Sequence, residues 1–195
     1  SDAADRVEAD LGPIGGLVCA AGTPQVPCRL SEMSINEWES VLASHLKGTF
    51  ISCRTFGNRM LASGRGGAIV NIASITGFCP GPTYAYAPAK AAIMTLTSIL
   101  AVDWACKGVR VNAVAPGWTD TPFLTRKADP AKPRDFAALA DASPLGRLLR
   151  AEEIAEVVYF LLSPQSSAII GTTVPCDGGF LAARGWVPYG NMLQQ

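Results

Sequence analysis

Three short apolar runs, kept apart by long segments of helical period, constrain this chain more than any other feature. The runs are Gly16-Leu17-Val18-Cys19-Ala20, Ala68-Ile69-Val70-Asn71-Ile72 and Val109-Arg110-Val111-Asn112-Ala113-Val114. Each is rich in valine or isoleucine and bounded by glycine or proline, as buried strands are. Between them, residues 36–61 carry Trp38, Val41, Leu42, Leu46, Ile51, Cys53, Phe56 and Met60 at mostly three- and four-residue steps. Residues 84–106 do the same through Ile93, Leu96, Ile99, Leu100 and Trp104. Helix-long spacers cannot close hairpins, so they cross over and leave the strands parallel. A further amphipathic helix over 152–162 and a last strand near 172–176 extend the pattern. It predicts an α/β fold: a doubly wound parallel sheet in a single domain.

Local signals sharpen the helix ends. Ser34 followed by Glu37 predicts a capping box. Thr83 is the expected N-cap of the second long helix, with Pro88 in or near its first turn. Residues 116–150 hold five prolines and read as a loop-rich stretch.

Composition narrows the function classes. The 195 residues suit one domain, and sixteen basic residues balance sixteen acidic ones for a net charge of +0. A nucleic-acid binder would show a basic excess, so none is expected as a partner. No uninterrupted apolar run approaches the roughly 18–20 residues of a membrane span. The start is polar and acidic, unlike a secretory or transit segment. The cysteines stand at 19, 28, 53, 79, 106 and 176 without a C-x-x-C pair, and His45 is the single histidine. That spacing offers no metal site. It fits a reducing, cytoplasmic protein whose cysteines pack as small apolar groups.

Chemistry concentrates at the strand ends. Tyr86 and Lys90 stand four apart at the start of the second long helix, on one face. A free tyrosine titrates near pH 10, and a nearby ammonium is expected to lower that value into a useful range for an alcohol–ketone pair. Ser74 follows the second strand at the edge where ligands bind in such sheets, so its hydroxyl can hold a carbonyl oxygen. The third strand leads into Ala115-Pro116-Gly117-Trp118-Thr119-Asp120-Thr121, a rigid turn able to present backbone groups to a flat polar ring.

Taken in order, these pieces resemble the short-chain dehydrogenase/reductase family. The matching segments are Ala21-Gly22, Asn71-Ile72-Ala73-Ser74, Tyr86-x-x-x-Lys90 and Val111 to Gly117 with Thr121. They continue through Pro144-Leu145-Gly146-Arg147, Glu152-Glu153-Ile154-Ala155 and Asp177-Gly178-Gly179. The resemblance covers nearly the whole chain. It implies a Rossmann-like fold and an NAD or NADP cofactor, with hydride transfer to or from a small alcohol or ketone. Tyr86 would be the acid/base, Lys90 its modulator and ribose ligand, and Ser74 the orienter of the substrate oxygen. Ala20, Ala21 and Gly22 would flank the ribose, and Pro116, Gly117, Thr119 and Thr121 would hold the carboxamide. A homo-oligomer, dimer or tetramer, is implied as well.

The chain departs from the family pattern in two places. Cys19-Ala20-Ala21-Gly22 stands where the family has Asn-Asn-Ala-Gly, so the amides that tie down the first strand are missing. His45 stands at the place of the fourth catalytic residue, an asparagine. It is either a catalytic group or a satisfied helix-face histidine. The family's phosphate-binding turn, Thr-Gly-x-x-x-Gly-x-Gly after a strand, is not found among the 195 residues. Residues 1–11 read as the end of the helix before the family's fourth strand. The expectation is therefore a domain lacking its first strands, with Leu17 to Ala20 as an exposed apolar edge. Such a chain alone should not bind a dinucleotide in the family's usual way. The competing expectation is a catalytically inactive member that only oligomerises. Residues 119–143 form the expected lid, with Trp118 and Phe123 beside the pocket, and the tail carries Trp186 and Tyr189.

Overall fold

The computed structural model describes residues 2–25, 27–125 and 135–184. Helix α1 (Asp2–Leu11) leads to strand β1 (Gly16–Cys19), then α2 (Ile35–Leu42) and α3 (Gly48–Ser63). After β2 (Gly67–Ile72) come α4 (Tyr86–Trp104), β3 (Val109–Pro116), and the short α5 (Pro122–Thr125) and α6 (Phe136–Asp141). Helix α7 (Ala151–Leu162), β4 (Thr173–Cys176) and α8 (Phe180–Ala183) follow. The four strands form one parallel sheet in the order β1-β2-β3-β4, with Val18 beside Val70, Val70 beside Asn112 and Val114 beside Val174.

Both faces of the sheet are covered, which is why the strands read as nearly continuous apolar runs. Ile69, Val109 and Val111 pack with Cys53 and Met60 of α3 and with Ala101 and Trp104 of α4. Val70 and Val114, pointing the other way, meet Ile154 and Leu161 of α7. The expected doubly wound sheet is thus present. Among the described residues β1 pairs only with β2, and Val18 is 41% exposed, so the expected apolar edge is there too.

The polar residues inside the strands each bind something. Asn112 donates from Nδ2 to the Ile169 carbonyl at 2.7 Å and accepts from the Thr172 amide at 3.1 Å, stitching β3 to the approach of β4. Arg110 reaches the last turn of α7. Its guanidinium donates to the carbonyls of Leu161, Leu162, Ser163 and Ser166 and to the Ser166 hydroxyl, at 2.9 to 3.3 Å. Leu161 and Leu162 are the last two residues of α7, whose carbonyls have no donor within the helix.

Residues 36–61 do not form one regular helix. A π-helical turn, Ala43–Lys47, joins α2 to α3. The buried positions Val41, His45, Thr49, Cys53, Gly57 and Met60 stand mostly four apart. At about 100° per residue, Val41 and Met60 would end roughly 100° out of phase on an α-helix. The wide turn absorbs about one residue and brings both back onto the sheet. The expected stripe included Trp38 and Ile51, which are instead exposed.

Helix ends confirm one signal and correct another. The Ser34 hydroxyl accepts from the Glu37 amide at 3.1 Å, which is the N-cap half of the expected capping box. Thr83 is not the cap of α4. The cap residue is Ala85, which offers no side-chain bond, and the Thr83 hydroxyl is buried without a partner. Gly108 ends the helical stretch after α4 at φ +77°, a conformation that glycine adopts freely. The stretch from Tyr86 to Lys107 is long and apolar enough to cross a membrane by length and composition. Here it lies against the sheet, with Ala87, Ile93, Thr97, Ala101 and Trp104 buried.

All six cysteines are free thiols. Cys19 and Cys53 lie with sulfurs 4.0 Å apart, and the Cys53 thiol donates to Asn71 Oδ1 at 3.4 Å. Asn71 Nδ2 donates to the Thr97 hydroxyl at 2.9 Å, which donates to the Ile93 carbonyl at 2.8 Å. This buried chain ties β1 to α3, β2 and α4. Trp186 and Tyr189 lie outside the described residues, as does part of the expected lid.

Candidate active site

A cavity of about 770 Å³ opens where β1, β2 and β3 end. Of the residues singled out from sequence, Ala20, His45, Ser74, Tyr86, Lys90, Pro116, Gly117, Thr119 and Thr121 line it. Trp118 and Phe123 line it as expected. Ala21 and Gly22 do not. Gly22 instead lies under the imidazole of His45, where a Cβ would come within 2.0 Å of the ring.

The placement follows from the strand ends. Ser74, just past β2, takes an extended backbone (φ −167°, ψ 155°) and opens a tight turn. Its hydroxyl accepts from the Thr76 amide at 3.2 Å and from the Thr76 hydroxyl at 3.0 Å. It therefore caps the turn while facing the Tyr86 phenol. Tyr86 opens α4, so Lys90 falls one turn later, its ammonium 5.5 Å from the phenol ring centroid. Lys90 is buried, and Nζ donates to the Ile72 carbonyl at the end of β2, 2.6 Å away. Burial pushes its pKa down to about 8, so it is charged at neutral pH.

The expected depression of the Tyr86 pKa is not what this structure shows. Burial raises the phenol above its usual value, and the Ser74 hydroxyl works against that in the lowering direction. Desolvation disfavours the phenolate, and Lys90 spends a short hydrogen bond on Ile72.

His45 is 2% exposed and sits in the π-helical turn. Its Nε2 lies 2.8 Å from the Thr23 carbonyl, an acceptor, so Nε2 carries the proton. Nδ1 is then a buried acceptor without a partner. The ring stands edge-on to Tyr86 at 5.0 Å between centroids. Burial, followed by the charge of Lys90, lowers the His45 pKa to about 4.

Because the unfolded value is near 6.5, the unfolded chain binds the extra proton between pH 6.5 and pH 4. This contribution is fully present above pH 6.5 and is lost as the pH falls to 4. Denaturant unfolding at pH 7 and pH 4.5 should show about 2–3 kcal/mol of acid loss that is missing in His45→Gln. Equal acid losses in the two proteins would contradict a buried neutral histidine.

One residue at the site escaped the sequence reading. Gln25, 4% exposed, accepts the amides of Ala85 and Tyr86 at 3.1 and 2.8 Å. Nothing in the surrounding Thr23-Pro24-Gln25 marks it.

The family model described as enoyl-(acyl carrier protein) reductase matches residues 1–181. The cis-4-hydroxycyclohexanecarboxylate dehydrogenase of Sinomonas cyclohexanicum is 38% identical over 179 residues, covering 91% of this chain and 70% of that protein. A crystal structure of ribose-5-phosphate isomerase from Brucella melitensis 16M superposes with TM-score 0.92 at 44% identity. The match covers 97% of this chain and 72% of that one. A gluconate 5-dehydrogenase from Burkholderia cenocepacia J2315, in complex with NADP and tartrate, superposes with TM-score 0.84 at 32% identity, covering 93% and 70%. With its parallel sheet, its site at the strand ends and these matches across most of its length, the chain belongs to the short-chain dehydrogenase/reductase family.

Proposed function

We propose that the chain is the catalytic part of an NAD(P)-dependent oxidoreductase acting on a secondary alcohol or its ketone, with Tyr86 as acid/base. The observation that carries this reading is the meeting of Ser74, Tyr86, Lys90 and His45 on one cavity at the carboxyl edge of the sheet. The Sinomonas relative is named for a substrate with a secondary alcohol, which fits the same chemistry.

The residues fit the nicotinamide end of such a cofactor. The Trp118 indole N–H and the Thr83 hydroxyl are buried at the cavity wall without partners, as groups awaiting a polar ligand are. Pro116, Gly117, Thr119 and Thr121 would hold the carboxamide, Lys90 and Tyr86 the ribose hydroxyls, and Ala20, the one residue of the expected Ala20-Ala21-Gly22 set on the cavity, would flank the ribose. When bound, the cofactor supplies hydride acceptance and donation. The glycine-rich stretches at 12–16 and 64–67 stand at the amino ends of β1 and β2, away from the cavity, and neither fits the phosphates.

The side chains then divide the proton work. Ser74 orients the substrate oxygen. Burial keeps the Tyr86 phenol protonated at neutral pH, so it is ready to donate to an oxygen gaining negative charge. The Lys90 ammonium stabilises the phenolate left behind. Alcohol oxidation needs that phenolate first, so its rate rises with pH while reduction is favoured near neutrality. His45 stays neutral and braces the ring of Tyr86.

A second copy of the chain is the proposed partner besides the small-molecule substrate. Phe50 and Ile51 of α3 and Ile99 and Val102 of α4 expose apolar surface suited to a dimer or tetramer. The six free thiols support a place in the reducing cytoplasm.

Fluorescence titration with NADH and NADPH, followed by a screen of secondary alcohols and ketones, tests the reading. Cofactor-dependent turnover supports it. A folded oligomer that binds neither nucleotide at millimolar concentration would favour the inactive, purely oligomerising reading. Conversion of ribose 5-phosphate without nicotinamide would favour the activity named for the Brucella protein.

A further inference from the structure

We propose that Gln25 is a positioning residue for Tyr86, holding the start of α4 from the loop that leaves β1. The proposal rests on the reading of Tyr86 as the acid/base. The first amides of a helix have no partners within it, and α4 has no local cap: Ala85 cannot supply one and Thr83 does not. Gln25, sixty residues away in sequence, fills the gap with one oxygen. Its Oε1 accepts both the Ala85 amide at 3.1 Å and the Tyr86 amide at 2.8 Å. Its Nε2 donates to Met33 Sδ at 3.4 Å, which sets the direction of the amide. The side chain is 4% exposed, so water does not compete for either bond.

Two residues earlier on the same loop, the Thr23 carbonyl holds the His45 ring through Nε2. The loop begins at Ala20, in the cavity wall. One short segment therefore grips Tyr86 by its backbone and His45 by its ring. A shift in this segment moves both groups relative to Ser74, which follows β2, and to the Lys90 ammonium, which is tied to the Ile72 carbonyl. A misplacement of an ångström is enough to cost about a hundredfold in rate.

The amide is also the right chemistry. A glutamate would accept the same two N–H groups but would set a carboxylate on the wall of the cavity that also holds the phenol. The groups already facing that phenol are the Lys90 ammonium, the neutral His45 ring and the Ser74 hydroxyl. An added negative charge opposes the phenolate.

Gln25→Ala and Gln25→Glu test the proposal with three readouts. Amide hydrogen exchange at Ala85 and Tyr86 should quicken by about tenfold or more in Gln25→Ala, the rest of α4 holding steady, and recover in Gln25→Glu. Titration of Tyr86 by tyrosinate absorbance, with Tyr86→Phe subtracted to remove the other tyrosines, should move up by about one pH unit in Gln25→Glu. Turnover of Gln25→Ala should fall by about tenfold or more, while the KM for cofactor changes little.

Unchanged exchange at both amides in Gln25→Ala would overturn the proposal. So would faster exchange that leaves turnover and the Tyr86 titration as in the wild type, since that is capping alone. If Gln25→Ala does not fold, the exchange and titration of Gln25→Glu decide the matter. If the wild type turns over no alcohol or ketone, the proposed function fails, and exchange and titration still report whether Gln25 holds Tyr86.

Discussion

Tyr86→Phe should abolish most turnover, by about 10³-fold, while leaving the fold intact and weakening cofactor binding by no more than the one ribose bond the phenol would make. The substitution removes one hydroxyl and keeps the ring. That ring is packed edge-on to His45 at 5.0 Å and tilted against Phe123 at 5.9 Å, contacts that do not involve the oxygen. What is lost is the hydroxyl that would exchange a proton with the substrate and meet the ribose. Serine cannot replace it, because Ser74 already spends its oxygen on accepting from Thr76 and has a far higher intrinsic pKa. Lys90 cannot replace it either, with its ammonium bound to Ile72 at 2.6 Å. Single-turnover measurement with bound NADH or NADPH separates the chemical step from release. A residual rate within tenfold of the wild type would remove Tyr86 from its role.

Arg110→Met should be the most destabilising single change on the far side of the sheet, at about 3 kcal/mol. Methionine matches much of the apolar stem and restores none of the donors. Four carbonyls and a hydroxyl at and just past the end of α7 would each lose one donor, the Leu161, Ser163 and Ser166 carbonyls keeping bonds from the Ser166 hydroxyl, the Ser166 amide and the Ile169 amide. The positive charge at a helix carboxyl terminus would go with them. The cost is less than five separate bonds because water reaches part of the opened end. In a chain of this size it corresponds to a fall in Tm of about 6–12 °C. Arg110→Lys keeps the charge without the planar fork and should recover about half the loss. An unfolding free energy that changes by less than about 0.5 kcal/mol in Arg110→Met would show the guanidinium to be dispensable.

What could be read before the fold was known follows a physical line. Periodicity reports which side of an element faces inward, so β1 to β4 and the long helices were legible from their apolar steps. Helical spacing also put Tyr86 and Lys90 on one face, and strand topology put Ser74 beside them. The sign of the Tyr86 shift was not legible, because spacing shows which charges are near but not how little water remains. Gln25 was hidden for a different reason: its two partners lie sixty residues away, and a glutamine between prolines has no local signature. The thiol chain from Cys19 to Thr97 was hidden likewise, since each cysteine alone reads as a small apolar residue. The π-helical turn left a faint trace in the four-residue steps of Thr49, Cys53 and Gly57. Those small residues carry little weight in an apolar count, and the larger Trp38 and Ile51 joined Val41, Cys53 and Met60 in the stripe although both are exposed.

That wide turn makes length a separate variable from composition in this segment. A chain one residue shorter between Ala43 and Lys47 would run as unbroken α-helix, with Val41 and Met60 still on the same side, about five turns apart. The sheet contacts of both halves would survive the shortening. The displaced winding that presents His45 to Thr23 and Tyr86 would not. The extra residue is therefore superfluous for the architecture, and its value lies wholly in what it aims.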